Sequence, residues 1–272
     1  MVVVVLSLVQ TDVAFGDPGE NVSRALAFLR RLKSEGSDLV VFPEAYVTGY
    51  AVDDEAGAAG IAISAEDLTP LKEACDELDI LCVVGFAERD AEGAIRNSAA
   101  LFEPGVAPRV YRKTHLPYLG LDRFVTPGDE LPVYDTRLGR IGILICFDLR
   151  PPEATRTLAL SGADILLLPT NWPEGAEVSA DSLAPARANE NKIFVATCNR
   201  VGEENGFRFI GRSGIYDVSG RPLAKAGDEE TVLTAEIDLS NARQKRTVLI
   251  PGRYETEVFA SRRPELYGSV AR

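Results

Sequence analysis

Short apolar runs alternate along this chain with stretches whose apolar residues recur at helical spacing. Runs of four to eight apolar residues between turn residues read as buried strands. Such strands are predicted over 2–9, 38–42, 80–87, 97–102, 141–146, 165–168, 193–197, 208–217 and 232–237. Between the first two, Asp17-Pro18-Gly19-Glu20 spells a helix start, with an N-cap, a Pro at the first position and a Glu at the third. Val22, Ala25, Leu26, Leu29 and Leu32 then fall on one face, and the helix is expected to end near Gly36. Further helices are predicted near 69–78, 152–161 and 179–190. Strands alternating with helices specify a layered α/β fold.

Two segments echo each other. Gly36-Ser-Asp38-Leu-Val-Val-Phe-Pro43 and Gly162-Ala-Asp164-Ile-Leu-Leu-Leu-Pro169 share a helix end, an Asp, four apolar residues and a Pro. Two similar halves, each a sheet with helices outside it, would make a two-sheet sandwich with pseudo-twofold symmetry. No linker or low-complexity stretch interrupts the chain, so one domain is expected over 1–272. Its tail, 242–272, reads as charged and irregular.

Composition narrows the partners. A chain of 272 residues can bury a large core as one domain. A formal charge of −12 argues against nucleic acid or an anionic membrane, both of which call for basic patches. The N-terminal Met-Val-Val-Val-Val-Leu-Ser-Leu lacks a basic lead and reads as a first buried strand, not a signal peptide. No apolar run reaches membrane-spanning length. Cys75, Cys82, Cys146 and Cys198 show no C-x-x-C spacing, which suits a reduced, cytoplasmic setting. Cys75, Cys82 and Cys198 fall in apolar elements and read as core.

Cys146 is different because of where it falls. It ends an apolar run and is followed by Phe147-Asp-Leu-Arg-Pro-Pro-Glu153, whose Pro-Pro-Glu reads as a first helical turn. A thiol near the positive end of a helix is expected to have a lowered pKa. Position alone leaves it open between a reactive thiol and a small core residue. Two other strand ends carry chemistry: Glu44 after Leu39-Val-Val-Phe-Pro43, and Lys113 within Val110-Tyr-Arg-Lys113-Thr-His-Leu-Pro117. Strand ends converge on the ligand crevice of layered α/β folds. Together the three make an acyl-transfer set: Cys146 attacks, Glu44 moves protons, and Lys113 offsets negative charge.

These three segments, FPEAYVTGY, YRKTHLP and LICFDLRPPE, resemble the signature segments of the carbon–nitrogen hydrolase (nitrilase) superfamily, and the form after the Cys resembles its amidase branches. The resemblance implies a Glu44-Lys113-Cys146 triad in a four-layer αββα sandwich, two sheets flanked by helices. It also implies a homodimer or higher homo-oligomer, with the C-terminal tail crossing to the partner subunit. Many members carry a second Glu before a Pro-Gly between the Lys and Cys segments. This chain has none there, and Asp122 is the nearest carboxylate, a possible additional acid whose plainer role is a local turn bond. Oxyanion and substrate-binding positions are expected at the Phe147 backbone N–H, Tyr50, Tyr118, Asn171 and Trp172.

The implied reaction is hydrolysis of a small aliphatic or ω-amide to acid and ammonia through a cysteine thioester, with no cofactor and no metal. An N-carbamoyl amine amidohydrolase is the alternative, ahead of a nitrilase or a non-catalytic scaffold. His115, the single His, would serve a rival Cys-His mechanism. One His and scattered Cys cannot supply a usual zinc set, and Gly-x-Ser-x-Gly, Walker A and Gly-x-Gly-x-x-Gly segments are absent from the sequence. Arg150 and Glu153 could brace the corner after Cys146.

Overall fold

The computed structural model describes residues 3–268. Its first half runs β1 (Val3–Gln10), α1 (Pro18–Ser34), β2 (Leu39–Val41), α2 (Glu55–Ile61), α3 (Thr69–Leu78), β3 (Leu81–Arg89), β4 (Ile95–Phe102) and β5 (Arg109–Arg112). The second half runs β6 (Val133–Thr136), β7 (Gly139–Ile143), α4 (Pro152–Leu160), β8 (Ile165–Thr170), α5 (Ala184–Asn191), β9 (Phe194–Asn199), β10 (Glu203–Glu204), β11 (Phe207–Arg208), β12 (Gly214–Tyr216) and β13 (Pro222–Lys225). β14 (Thr231–Asp238) returns to the first half, and β15 (Arg246–Ile250) with β16 (Tyr254–Glu257) forms a late hairpin. Val2, the predicted first residue of the opening strand, lies outside the described residues, as do 269–272 of the tail.

The strands form two six-stranded sheets, β14-β1-β2-β3-β4-β5 and β13-β12-β9-β8-β7-β6. Each has a parallel centre, β1-β2-β3 or β7-β8-β9, with antiparallel strands on both sides. Period-two alternation sorts the residues of the first sheet. Val40, Cys82 and Val84 join Ala25, Leu29, Leu32, Leu71 and Cys75 of α1 and α3 in one core. Their neighbours Leu39, Val41, Leu81 and Val83 join Ile143, Leu168 and Ala196 of the second sheet in another, which also takes in Leu158 of α4 and Ala188 of α5. The result is the expected four-layer αββα sandwich.

The internal echo has a structural counterpart. β2 lies between β1 and β3, and β8 lies between β7 and β9. The Asp before each does the same job: Asp38 Oδ2 accepts the Val5 N–H at 2.9 Å, and Asp164 Oδ2 accepts the Arg140 N–H at 3.0 Å. Each carboxylate fastens the start of its strand to the neighbouring strand, which sets the register of both parallel centres. α1 also follows its sequence signals, with Asp17 accepting from the Glu20 N–H at 3.0 Å and Ala25, Leu29 and Leu32 buried.

Three expectations need correction. The segment 208–217 is not one strand: Gly211 (φ +61) and Arg212 (φ +57) turn the chain between β11 and β12. The tail is not irregular throughout, because β15 and β16 pair within it. The strand before Cys146 ends at Ile143, and a four-residue 3-10 turn opens at the Cys. No helix among the described residues is long and apolar enough to cross a membrane.

Candidate active site

Glu44, Lys113 and Cys146 each sit just beyond a strand of the sandwich. Glu44 follows β2 after Pro43, and Ala45 behind it takes a left-handed backbone (φ +47). That bend fits over β3 at Gly85, where a Cβ would lie 2.5 Å from Ala45 N and 2.7 Å from Glu44 Cα. Lys113 follows β5; its N–H donates to Asn97 O at 2.8 Å, and its carbonyl accepts from Gly128 N at 2.8 Å. Cys146 itself has φ +46. A left-handed non-glycine residue costs about 1–3 kcal/mol and persists only where its surroundings hold it.

Asp148 supplies that hold. Fully buried, its Oδ2 accepts the Ile145 N–H at 3.0 Å and the Tyr111 hydroxyl at 2.7 Å. Its Oδ1 accepts the Thr114 hydroxyl at 3.0 Å and the His115 N–H at 2.8 Å, and it lies 2.8 Å from His115 Nδ1. One carboxylate therefore joins the Cys146 corner to the segment carrying Lys113. His115 is spoken for by this contact, and the Asp148 hydrogen bond raises its pKa.

The charged centre is fully buried. Lys113 Nζ donates to Glu44 Oε1 at 2.7 Å and to Asp122 Oδ2 at 2.5 Å. Asn97 Nδ2 donates to Glu44 Oε1 and to Asp122 Oδ1, both at 2.8 Å. The Tyr50 hydroxyl donates to Asp122 Oδ2 at 2.8 Å. Asp122 is thus brought to the Lys113 ammonium, where the sequence also allowed a bond within its own turn. Glu44 Oε2 is buried and has no protein partner.

Burial raises the Glu44 carboxyl, and the Asp122 charge adds to that, while Lys113 and Asn97 oppose it. Burial works against the Lys113 ammonium, but the charges of Asp122 and Glu44 outweigh it and hold its pKa well above the usual lysine value. The Cys146 thiol is pushed up to about 12, first by burial and then by the Glu44 charge; Lys113, the Thr170 hydroxyl and the Asn171 backbone N–H pull the other way. This corrects the expectation of a lowered thiol pKa. Cys146 heads a 3-10 turn rather than α4, which starts only at Pro152, and desolvation outweighs the nearby cation. Burial therefore favours the thiol over the thiolate at this corner.

Of the other expected positions, Tyr50 is buried against Asp122 and Lys113, with Lys113 Nζ 6.0 Å from its ring centre. Phe147 is partly exposed beside Cys146. Trp172 is buried, its backbone N–H held by Asn199 Oδ1 at 2.8 Å. Both carboxamide atoms of Asn171 are buried without a protein partner. Tyr118 stands 86 % exposed, with the Arg123 guanidinium 4.8 Å from its ring centre, so it does not join the buried cluster. Arg150 and Glu153 do not pair with each other; Arg150 contributes its carbonyl, which accepts from Arg187 at 3.0 Å. No group of three or more His, Cys, Asp or Glu among the described residues is placed to hold a metal ion.

Sequence reasoning missed Asn97, Asp148 and Glu204. Glu204 Oε1 accepts the backbone N–H of Tyr50 at 2.7 Å and of Ala51 at 2.5 Å, while Oε2 accepts from the buried Arg200 at 2.6 Å. The β10 strand that follows β9 thereby fixes the backbone at Tyr50. The Asp within the Cys146 segment was visible as a letter, but apart from Ile145 its partners Tyr111, Thr114 and His115 lie 33 or more residues away in sequence.

Comparison with known proteins identifies the family. The chain is 36% identical over 267 residues to a nitrilase from Pyrococcus abyssi, covering 96% of this chain and 98% of that protein. It is 31% identical over 267 residues to the 2-oxoglutaramate amidase of Bacillus subtilis, with the same two coverages. The solved structure of a carbon-nitrogen hydrolase from Helicobacter pylori G27 superposes with a TM-score of 0.88 at 25% identity, over 99% of each chain. The carbon-nitrogen hydrolase family model matches residues 6–247. The chain therefore belongs to the carbon–nitrogen hydrolase family, in the amidase-like branch of the nitrilase superfamily.

Proposed function

We propose that the protein hydrolyses a small aliphatic or ω-amide to a carboxylic acid and ammonia through a thioester on Cys146. The observation that carries this reading is the Glu44 carboxylate: Oε1 is saturated by Lys113 and Asn97, while Oε2 is buried and unpartnered, ready to take a proton. Glu44 Oε2 receives the thiol proton as Cys146 Sγ bonds to the carbonyl carbon. Lys113 Nζ and the Phe147 backbone N–H stabilise the oxyanion. The carbon–nitrogen bond then breaks, and Glu44 returns the proton to the departing amine as ammonia. Water attacks the thioester and gives its proton to Glu44; the sulfur leaves and is reprotonated. Asp122 helps keep Lys113 charged.

The relative named as a 2-oxoglutaramate amidase supports an ω-amide among the substrates. Asn171 and Trp172 would face the acyl group, and the partnerless Asn171 carboxamide suits a polar substituent there. Four unpaired cysteines fit a reducing cytoplasm. The tail, 242–272, supports a homodimer, because β15 leaves Val248, Leu249 and Ile250 about half exposed in sequence.

A panel of aliphatic amides, dicarboxylic acid monoamides, nitriles and N-carbamoyl amines, read by ammonia and carbon dioxide release, tests the reaction. Ammonia from the amides, lost in Cys146→Ala, is the expected result. Ammonia with carbon dioxide from the N-carbamoyl amines alone would replace this reading with a ureido hydrolase. Amide turnover retained in Cys146→Ala would refute the nucleophile.

A further inference from the structure

Three charged groups and one amide meet in this site, and the amide touches more of them than its size suggests. Asn97 lies on β4, fully enclosed. Its backbone carbonyl accepts the Lys113 N–H at 2.8 Å. Its Nδ2 donates one proton to Glu44 Oε1 and the other to Asp122 Oδ1, each at 2.8 Å. The orientation is forced: the flipped amide would set an oxygen against two carboxylate oxygens. The same orientation leaves Asn97 Oδ1 buried without a protein partner, a costly arrangement for a residue that only fills space.

We propose that Asn97 is the positioning residue that makes Glu44 Oε2 the proton-accepting atom. With Lys113 it occupies Oε1, so the oxygen left for the thiol is Oε2. Its second proton goes to Asp122 Oδ1, so the amide and the Lys113 ammonium bridge the same two carboxylates. The hydrogen bond to Glu44 Oε1 favours the ionised form of that carboxyl. Asn97 thereby extends the pH range in which the base is ready. This inference rests on Glu44 serving as the base.

The test is the pH dependence of Cys146 alkylation by iodoacetamide, which needs no known substrate, beside that of kcat/KM for an amide. Glu44→Gln should abolish the acid limb of both. If it leaves the limb unchanged, the reading of Glu44 itself fails. Given that loss, Asn97→Leu should move the limb upward by about one pH unit, lower kcat and leave KM within about twofold. A lower melting temperature with the wild-type limb would make Asn97 merely structural and overturn the proposal. Asn97→Ala serves the same purpose with less bulk. In the unmodified protein, both Asn97 side-chain amide protons should shift in NMR spectra as pH crosses the limb; flat shifts would also overturn it.

Discussion

Gly85 runs directly beneath Glu44, so close that a Cβ on it would lie 2.7 Å from Glu44 Cα and 2.6 Å from Pro43 O. Both neighbours are backbone, so nothing flexible can yield. Gly85→Ala should cost about 1–3 kcal/mol of stability by overpacking. It should also lift Glu44 off Lys113, and a displacement near 1 Å costs about a hundredfold in rate. Thermal melting and kcat/KM on the same preparation check both. A well-folded Gly85→Ala with wild-type kcat/KM would show that the bend at Glu44 tolerates the change.

Asp148 ties the Cys146 corner to the Lys113 segment. In Asp148→Asn an NH2 must replace one acceptor, which strands either the Ile145 N–H and Tyr111 hydroxyl or the Thr114 and His115 donors. Each buried donor left unpaired costs about 1–3 kcal/mol. The expected outcome is a melting temperature lower by several degrees and a kcat reduced at least tenfold, because Cys146 and the Lys113 segment lose their common anchor. Steady-state kinetics and a thermal melt would report it.

How far the sequence carries depends on separation along the chain. The Asp38 and Asp164 echo is local, and its two segments became β2 and β8, which take equivalent places in the two sheets. Glu44, Lys113 and Cys146 sit in segments that announce themselves. Asn97 and Glu204 do not, because their meaning lies in contacts 53 and 154 residues apart. Nor could the sequence show that burial outweighs the helix end at Cys146, since desolvation is a property of the packed site. The break at Gly211 was hidden by apolar residues on both sides.

His115 should matter to stability and not to chemistry. Its pKa is raised above the usual 6.5, chiefly by the hydrogen bond to Asp148. A raised folded-state pKa stabilises fully below the ordinary imidazole value, and that increment fades as pH rises through the folded value. The melting-temperature gap between wild type and His115→Ala should therefore be largest in acid and shrink toward alkaline pH. Amide turnover should persist in the variant at saturating substrate. Its abolition, with Lys113→Ala still active, would favour the Cys-His mechanism.

The late hairpin predicts assembly. Val248, Leu249 and Ile250 are exposed in sequence on β15, an apolar run that an isolated chain would leave in water. Leu249→Glu should shift the protein to a smaller species in sedimentation while leaving the αββα core folded by circular dichroism. An unchanged sedimentation coefficient would remove the tail from the interface.

Covalent chemistry at Cys146 is read out by intact-mass spectrometry of the enzyme quenched in acid during amide turnover. The expected result is a species heavier by the acyl group, mapped to the peptide containing Cys146 and absent from Cys146→Ala. Sustained ammonia release with no adduct on Cys146, or with the adduct on another residue, would contradict it.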